Sequence, residues 1–589
     1  MYAMNAAVAV ENEVLSEAEI VQSWLTDFEA ALAKENVNEV ASLLADECHW
    51  RDMFALSWDI SPFEGKDVIA KQWVEAQKQF KASNFSVAVG ATPPRRVKRI
   101  GIDVIEGIFS FETNISRGKG VVRLLPQSRK AWVLMTSLRE LKGHEEQIGM
   151  RRPSGSNWRE FGGKNWADKR KEEQAFEDRD PAVLIVGAGQ SALGLAARLR
   201  VLGVDTLCVD RHQRVGDSWR TRYHSLALHN QVNLNQLPYM PFPENWPKYL
   251  TKDMVANWLE HYAIAMECNV WMNAEVLDAK YDDAAGHWVA RVRKPDGTIR
   301  VMHPRHVVFA NGIVGAPQIP DLPGLDSFKG TLIHSHDYQN GAIWKGKKTL
   351  VLGAGTSAHD IAQDLYGSGA DVKMIQRGAT SVVSLDAVGI VYASYYKENL
   401  PTEDCDLLAQ SSTYTLSIRN AQAVTKIQNE MDKELLEGLA KRGFKVDQGE
   451  DNTGYIMKVR RKHAGYYFNC GCSDLIVEGK IGVIPFENIE KFVPEGLLMK
   501  DGSIESAELI VAATGYQPQR DVVKNLLGAD VAERVGHVWG IDETGELRNM
   551  YKPTAQKGLW FLGSGLSQAR IYTHYVALQI KAREIGLVN

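Results

Sequence analysis

The spacing of apolar positions changes several times along the chain, and each change predicts an element. After Ser16, apolar residues recur at helical spacing at Ile20, Val21, Trp24, Leu25, Phe28, Ala31 and Leu32, which predicts an amphipathic helix over 17–34. Ser16 and Glu19 stand at capping-box spacing ahead of it. Further helices are expected at 37–44 and 66–80. The period then falls to two, and strands are expected at 85–90, 97–102, 104–114, 118–125 and 130–141. Helices followed by an antiparallel sheet make residues 15–143 an α+β unit. A linker follows over 144–180, with a turn-like stretch at 151–156 and a charged helix at 165–176.

Beyond residue 181 the apolar runs are short and continuous, as in buried parallel strands. The first, 183–186, runs into Gly187-Ala-Gly189-Gln-Ser191-Ala192 and a helix over 191–202. Gly187 suits the tight turn, Gly189 lets backbone approach a pyrophosphate, and Ala192 keeps the helix close to the strand. The helix start, with Ser191, faces the phosphates. A second strand, 206–209, ends at Asp210, a carboxylate suited to ribose hydroxyls. This site reads as FAD or NAD(H). The pattern repeats at 347–352 with Gly353-Ala-Gly355-Thr-Ser357-Ala358, where Ser357 is expected to cap the helix and donate to phosphate. Here the second strand, 371–375, leads to Arg377 instead of an acid. A guanidinium can pair with a 2′-phosphate that a carboxylate would repel, so the second site reads as NADPH.

Between the two turns lies Phe328-Lys-Gly330-Thr-Leu-Ile-His334-Ser-His-Asp-Tyr338. It fills every fixed position of Phe-x-Gly-x-x-x-His-x-x-x-Tyr/Phe, and with the two turns it resembles the flavin-containing monooxygenases. Val215-Gly216-Asp-Ser218-Trp219 is similar to that family's Gly-Gly-x-Trp segment, which reaches the flavin; Asp217 takes the place of its second glycine. The resemblance therefore assigns FAD to the first site and adds Arg211, Gly216, Ser218 and Trp219 to its expected contacts. His229 or Asn230 falls where the family carries an Asn at the flavin edge. Thr514-Gly515-Tyr516 is similar to the family's second crossing between domains. Gly563 and Gln568 belong to the expected return to the flavin, with a helix over 572–585. Tyr466-Tyr-Phe-Asn-Cys-Gly-Cys472 resembles a segment of the YUCCA-type branch.

The implied fold is α/β: two Rossmann-like dinucleotide-binding domains preceded by an α+β unit that resembles the NTF2-like (SnoaL-type) cone. The FAD domain would comprise 181–337 and 511–589, and the NADPH domain 338–510 with a substrate-side insert. The insert, 384–468, carries a helix expected at 421–440 and a basic run at 458–463. In the cone, His49, Arg51 and Asp52 are either catalytic candidates or polar positions at a strand rim beside Trp50 and Phe54.

Composition narrows the chemistry. A net charge of -5 gives no reason to expect nucleic acid. No apolar run is long enough for a bilayer, and the first ten residues lack the basic start of a secretory leader. Six scattered cysteines suit a reduced, cytoplasmic protein. Cys470 and Cys472 form the one close pair, with no second pair for a metal. Cys208 stands alone after the first turn, where a disulfide reductase would need two. The resemblance implies an NADPH- and FAD-dependent monooxygenase that forms a flavin C4a-hydroperoxide and passes one atom of O2 to a small organic substrate. A 2-oxo acid or ketone is the expected acceptor. N- or S-oxygenation, or an NADPH oxidase making H2O2, are the alternatives, and a redox sensor on a scaffold is the non-enzymatic one. His229, Asn230, His334 and Tyr338 are the catalytic candidates, with His334 expected to fix the linker. A homodimer is compatible with this reading.

Overall fold

The computed structural model describes residues 15–155, 158–159, 161–312 and 316–588. The first ten residues, and Ser156 of the expected turn, lie outside the described residues. The chain forms two compact units. One holds the chain up to Lys142 together with Glu403–Thr413; the other holds Gly143–Thr402 and the chain from Tyr414 onward.

In the first unit three helices, Glu17–Ala33, Val37–Ser42 and Lys66–Phe80, pack on a seven-stranded sheet. The capping box closes: Glu19 N donates to Ser16 Oγ, and Ser16 N donates to the Glu19 carboxylate. The sheet runs Ile60–Glu64, Leu44–Met53, Ala131–Leu141, Ser116–Leu124, Ile102–Glu112, Ser83–Val87, with Arg95–Arg99 also on Ile102–Glu112. Leu44–Met53 lies parallel to Ala131–Leu141, and the other pairs are antiparallel. Leu44–Met53 and Ile60–Glu64 have no clear two-residue period in sequence, because Leu44–Met53 is buried on both faces over its second half. Trp50 stacks between Phe63 and Trp73, at 4.8 and 4.6 Å. Gly120 is bare by necessity, since a Cβ there would stand 2.3 Å from Met135 O and from the Phe109 ring.

His49, Arg51 and Asp52 are not at a rim. They are buried, at 3%, 3% and 0% exposure. Asp52 accepts from Thr136 Oγ1 and Ser57 Oγ, both at 2.6 Å, and from Leu56 N at 3.0 Å. Burial pushes its carboxyl up to about 6 against those bonds. Nearby, Glu106 is held by Arg99 at 2.6 Å, Arg123 at 2.9 Å and Arg95 at 3.3 Å. Burial alone would raise its pKa, but the Arg99 and Arg123 guanidiniums bring it down to about 2.

The second unit contains two five-stranded parallel sheets. The first runs Val270–Trp271, Thr206–Val209, Val183–Val186, His306–Phe309, Leu559–Phe561. The second runs Thr331–His334, Leu509–Ala512, Lys348–Leu352, Asp371–Gln376, Gly482–Pro485. Thr331–His334 already belongs to the second sheet, ahead of the start expected at 338. An antiparallel excursion, Glu275–Asp282, His287–Arg293 and Ile299–Met302, leaves the first sheet. Asn273, at φ +51°, separates Val270–Trp271 from Glu275–Asp282, and Pro304 separates Ile299–Met302 from His306–Phe309.

The charged helix Trp166–Ala175 lies along the first sheet's edge. Arg170 donates to Asn269 Oδ1 at 3.0 Å and Glu267 O at 2.9 Å, and Trp271 Nε1 donates to Gln174 O at 2.7 Å. The helix expected at 421–440 divides into Tyr414–Met431 and Lys433–Lys441 at Asp432, whose carboxylate accepts from Ser384 N at 2.8 Å. The last helix begins at Leu566, well before the expected 572, because it is buried on nearly every face and shows no amphipathic period. The basic run at 458–463 is paired: Lys458 with Asp447 at 2.6 Å, and Arg461 with Glu450 and Asp451 at 3.1 Å.

The Glu106 cluster gives a pH test. The folded-state pKa lies below the unfolded value, so its contribution, about 3 kcal/mol, is complete above pH ~4.5 and is lost as pH falls toward 2. Glu106→Gln should lower the melting temperature at pH 7. The gap to the parent should narrow as pH falls through 4.5, read by calorimetry on both proteins.

Candidate functional site

Three helices point bare starts toward the ends of the parallel strands. The first, Gln190–Val201, has Gly189 as its N-cap and no side-chain cap. A Cβ on Gly189 would meet nothing within 4 Å, so this backbone faces open space. Gly187, at φ +110°, could not carry a side chain, because Ala310 O would stand 2.8 Å from its Cβ. Ser191 and Ala192 are buried beneath the turn. Thr356–Gly367 repeats this with Gly355 as N-cap, and Leu566–Glu584 does so with Gly565. Unfilled N–H groups at a helix start suit phosphate.

Ser357 does not cap its helix. Gly355 occupies that position, and neighbouring Thr356 Oγ1 donates to Tyr466 O at 3.1 Å. Ala358 is buried against the strands, as Ala192 is. Gly353, at φ +134°, lies against Ala513 O, 2.5 Å from where a Cβ would stand.

Asp210 ends its strand as expected, but much of its carboxylate is engaged. It accepts from Ala188 N at 2.8 Å and His212 N at 2.9 Å, and contacts His212 Nδ1 at 2.7 Å. Burial works against ionisation there, but His212 and these bonds keep the carboxyl below its ordinary value. A carboxylate has about four acceptor sites, so room remains for one more donor. Arg377 is exposed, and among the described residues its guanidinium makes no hydrogen bond or ion pair.

In the segment after the first turn, Gly216 precedes the short helix Asp217–Arg220. Its missing side chain serves packing, since a Cβ would stand 2.3 Å from Ala256 O in the helix Lys252–Ala265. Asp217 pairs with Arg220 at 3.0 Å. Arg211 and Ser218 are exposed, and Trp219 is half-buried. Gln190, which the sequence did not single out, joins three parts of the first site: its Oε1 accepts from Trp219 Nε1 at 3.2 Å, and its Nε2 donates to Ser564 O at 3.1 Å. Gly563 O accepts from the buried Tyr551 hydroxyl at 2.6 Å, and Gln568 sits in the first turn of the last helix, beside Ser567.

His334 is buried, and both ring nitrogens are used. Nε2 donates to Gly515 O at 2.9 Å, and Nδ1 accepts from His336 N at 3.0 Å. Its ring meets Tyr516 edge-on at 5.2 Å. Tyr338 is 1% exposed and donates to Asp364 at 2.6 Å. Neither group has a free face for substrate. Thr514 Oγ1 donates to Gln318 O at 2.6 Å, and Gln519 Nε2 donates to Asn311 Oδ1 at 2.9 Å, so the two crossings between sheets are tied together.

His229 and Asn230 lie on a loop facing an aromatic wall. His229 meets Phe468 edge-on at 4.7 Å, and Tyr455 and Tyr466 flank Phe468. Burial pushes the His229 imidazole down to about 4, so it is neutral at pH 7. Asn230 Oδ1 is buried without a partner among the described residues, an acceptor that a bound group would satisfy. The bare starts, the open glycines and this orphan amide fit two dinucleotide-type cofactors.

A family model described as flavin-binding monooxygenase-like matches residues 180–527. The chain belongs to the flavin-binding monooxygenase-like family. Indole-3-pyruvate monooxygenase YUCCA1 of Oryza sativa subsp. japonica is 30% identical over 354 residues, 59% of this chain and 80% of that protein. Probable indole-3-pyruvate monooxygenase YUCCA3 of Arabidopsis thaliana is 29% identical over 344 residues, 57% of this chain and 72% of that protein. The fold is similar to that of a cyclohexanone monooxygenase mutant from Rhodococcus sp. Phi1 bound to NADP+, with a TM-score of 0.50 at 15% identity over 69% of this chain and 87% of that one. The protein is thus a flavin-dependent monooxygenase.

Two groups of this monooxygenase were not legible in sequence. Tyr223 donates to Asp360 at 2.5 Å, linking the first site's loop to the second site's helix. Arg222, beside it, is half-buried, and its guanidinium has no hydrogen bond or ion pair among the described residues. Cys470 is exposed, Cys472 is buried, and the two are free thiols. No metal-binding cluster occurs among the described residues, and no described helix is long and apolar enough to cross a membrane.

The glycine turns give a paired test. Strain of up to ~3 kcal/mol at a forced positive φ corresponds to about 100-fold in an equilibrium. Gly187→Ala should purify with little FAD. Gly353→Ala should keep its flavin spectrum while NADPH reduces it about 100-fold less efficiently, read by anaerobic stopped-flow absorbance.

Proposed function

We propose that the monooxygenase acts on a 2-oxo acid or ketone whose apolar part rests against the aromatic wall at His229. FAD is held at the turn of Gly187, Gly189, Ser191 and Ala192, with Asp210 and the Gly563–Gln568 return. NADPH is held at Gly353, Gly355 and Ala358, with Arg377 on its 2′-phosphate. Bound there, the two cofactors supply hydride transfer and activation of O2. The remaining work belongs to the chain. Asn230 offers its unpaired amide oxygen to a bound group. His229 stays neutral and closes the wall with Phe468. Arg222 is an uncommitted cation suited to an anionic group of NADPH or substrate. His334 and Tyr338 act as positioning residues: with both His334 nitrogens occupied, no lone pair is left to accept a proton. The first unit, three helices packed on one seven-stranded sheet, is read as an NTF2-like cone.

The observation that carries the substrate class is the His229–Phe468 contact. It places the Tyr466-Tyr-Phe-Asn segment, the one similar to the indole-3-pyruvate branch, on the loop that carries the orphan Asn230 amide. For a 2-oxo acid the balance is one O2 and one NADPH consumed, one CO2 released, and the shortened carboxylic acid and water formed.

That balance is the test. Aryl 2-oxo acids should give one CO2 per NADPH oxidised, with 18O from O2 in the new carboxylate. NADPH oxidation with no CO2, and H2O2 in its place, across a panel of 2-oxo acids would overturn the substrate class. Arg377→Ala should raise KM for NADPH about 10- to 100-fold and leave KM for NADH within about twofold, since one bidentate charge pair is lost only with the phosphate.

A further inference from the structure

The first unit has a polar interior that the monooxygenase chemistry does not use, and a piece of the same chain fills it. The helix Thr402–Gln410 is buried there at Asp404, Cys405, Leu407 and Leu408, with 4%, 1%, 1% and 6% exposure. Both ends of this strap are held by residues distant in sequence. At its start, the Asp404 carboxylate accepts from Thr92 N and Thr92 Oγ1, both at 2.7 Å. At its end, Arg51 donates to Gln410 O at 2.8 Å and Arg123 donates to Leu408 O at 3.4 Å. Just beyond, Thr413 Oγ1 contacts His49 Nδ1 at 3.2 Å and donates to Glu64 at 3.1 Å.

We propose that the interior of the N-terminal unit is a peptide-binding site whose ligand is the chain's own acidic segment Glu403–Thr413, and not a second catalytic pocket. Two buried guanidiniums meet the carbonyl end of a helix, where the macrodipole is negative. The segment carries Glu403, Asp404 and Asp406, complementary to a site containing Arg51, Arg95, Arg99 and Arg123. Leu408 closes the gap among Thr92, Pro93, Arg95, Glu106 and Ile108, and no water-sized space remains. His49 and Arg51, the catalytic candidates of this unit, are thereby committed to the strap.

The strap also has a place in the chemistry, because both its ends lead to the aromatic wall. Upstream lies Tyr396, whose hydroxyl accepts from Gln231 N at 3.0 Å, next to Asn230. Downstream, the helix Tyr414–Met431 carries Gln428, which donates to Ala387 O at 3.0 Å within the cluster that contains Phe468. Under this proposal, release of the strap frees the chain segments that carry Tyr396 and Gln428, and the loosened wall admits water to the reduced cofactor. This step rests on the assignment of the wall to the substrate site, but not on which substrate is used.

The experiment uses the full-length holoenzyme and two readouts. Cys405 lies on the strap and is buried while the strap is seated, so its alkylation, followed by peptide mass spectrometry, reports release. NADPH oxidation to H2O2 without any substrate reports water at the flavin. Arg51→Met and Thr92→Val should each speed Cys405 alkylation about tenfold or more and raise the substrate-free H2O2 rate, with FAD content unchanged. Leu408→Asp should expel the strap outright, and a synthetic peptide of residues 403–413 should then bind that variant. A folded, FAD-loaded Leu408→Asp protein with Cys405 still protected would overturn the binding site. Rapid alkylation with an unchanged H2O2 rate would overturn the link to the wall. A failed 2-oxo acid panel alters neither readout.

Discussion

The hydrogen bond from His334 to the carbonyl of Gly515 is the constraint on which the second unit depends. The chain passes between its two parallel sheets twice, once ahead of Thr331–His334 and once after Leu509–Ala512, and these strands are neighbours in the same sheet. His334 fastens the end of one to the turn that follows the other. Because its second nitrogen accepts from His336 N, the ring is fixed in one tautomer and one orientation. Gln519 then ties the second crossing to Asn311 at the first. Two nucleotide sites on separate sheets can exchange a hydride only if the crossings hold their relative placement. A neutral imidazole does this without adding a charge that burial would penalise.

The bare helix starts follow the same economy. Glycine at an N-cap costs only roughly a few tenths of a kcal/mol relative to a capping side chain. Such a start can therefore remain unfilled until an anion arrives, whereas a serine or aspartate cap would already occupy its N–H groups. The clearest departure from expectation, Ser357, follows from this. A hydroxyl that capped its own helix would compete with the phosphate that the helix is built to receive.

The parts that were legible in sequence are those in which backbone geometry dictates residue type. Gly187 and Gly353 stand where a Cβ would strike a carbonyl, and the short buried strands before them have an unmistakable apolar run. The fingerprint was visible through its resemblance to a family, and its His334 and Tyr338 are both buried and bonded. What stayed hidden depends on contacts across long sequence separations. Gln190 matters only because Trp219 and Ser564 come to it, and Tyr223 only because Asp360 does. Period-based reading also fails where an element is buried on all sides, as for Leu566–Glu584 and the second half of Leu44–Met53. Packing also keeps Gly216 bare, since a side chain there would strike Ala256 O.

The interior of the first unit shows why a polar motif cannot be judged without its partners. His49, Arg51 and Asp52 fall within one short stretch and look like chemistry. Buried charges are costly unless every lone pair and proton is matched. Asp52 is matched by two hydroxyls and a backbone N–H, which hold its buried carboxylate against the pull of burial toward the protonated form. A guanidinium stays protonated, so Arg123 is met by Glu106 at 2.9 Å. One of its remaining N–H groups, and one from Arg51, reach far along the chain to carbonyls at the end of a nine-residue helix. The same charges that suggested catalysis are therefore better understood as an address, written in the first unit and answered by Glu403–Thr413.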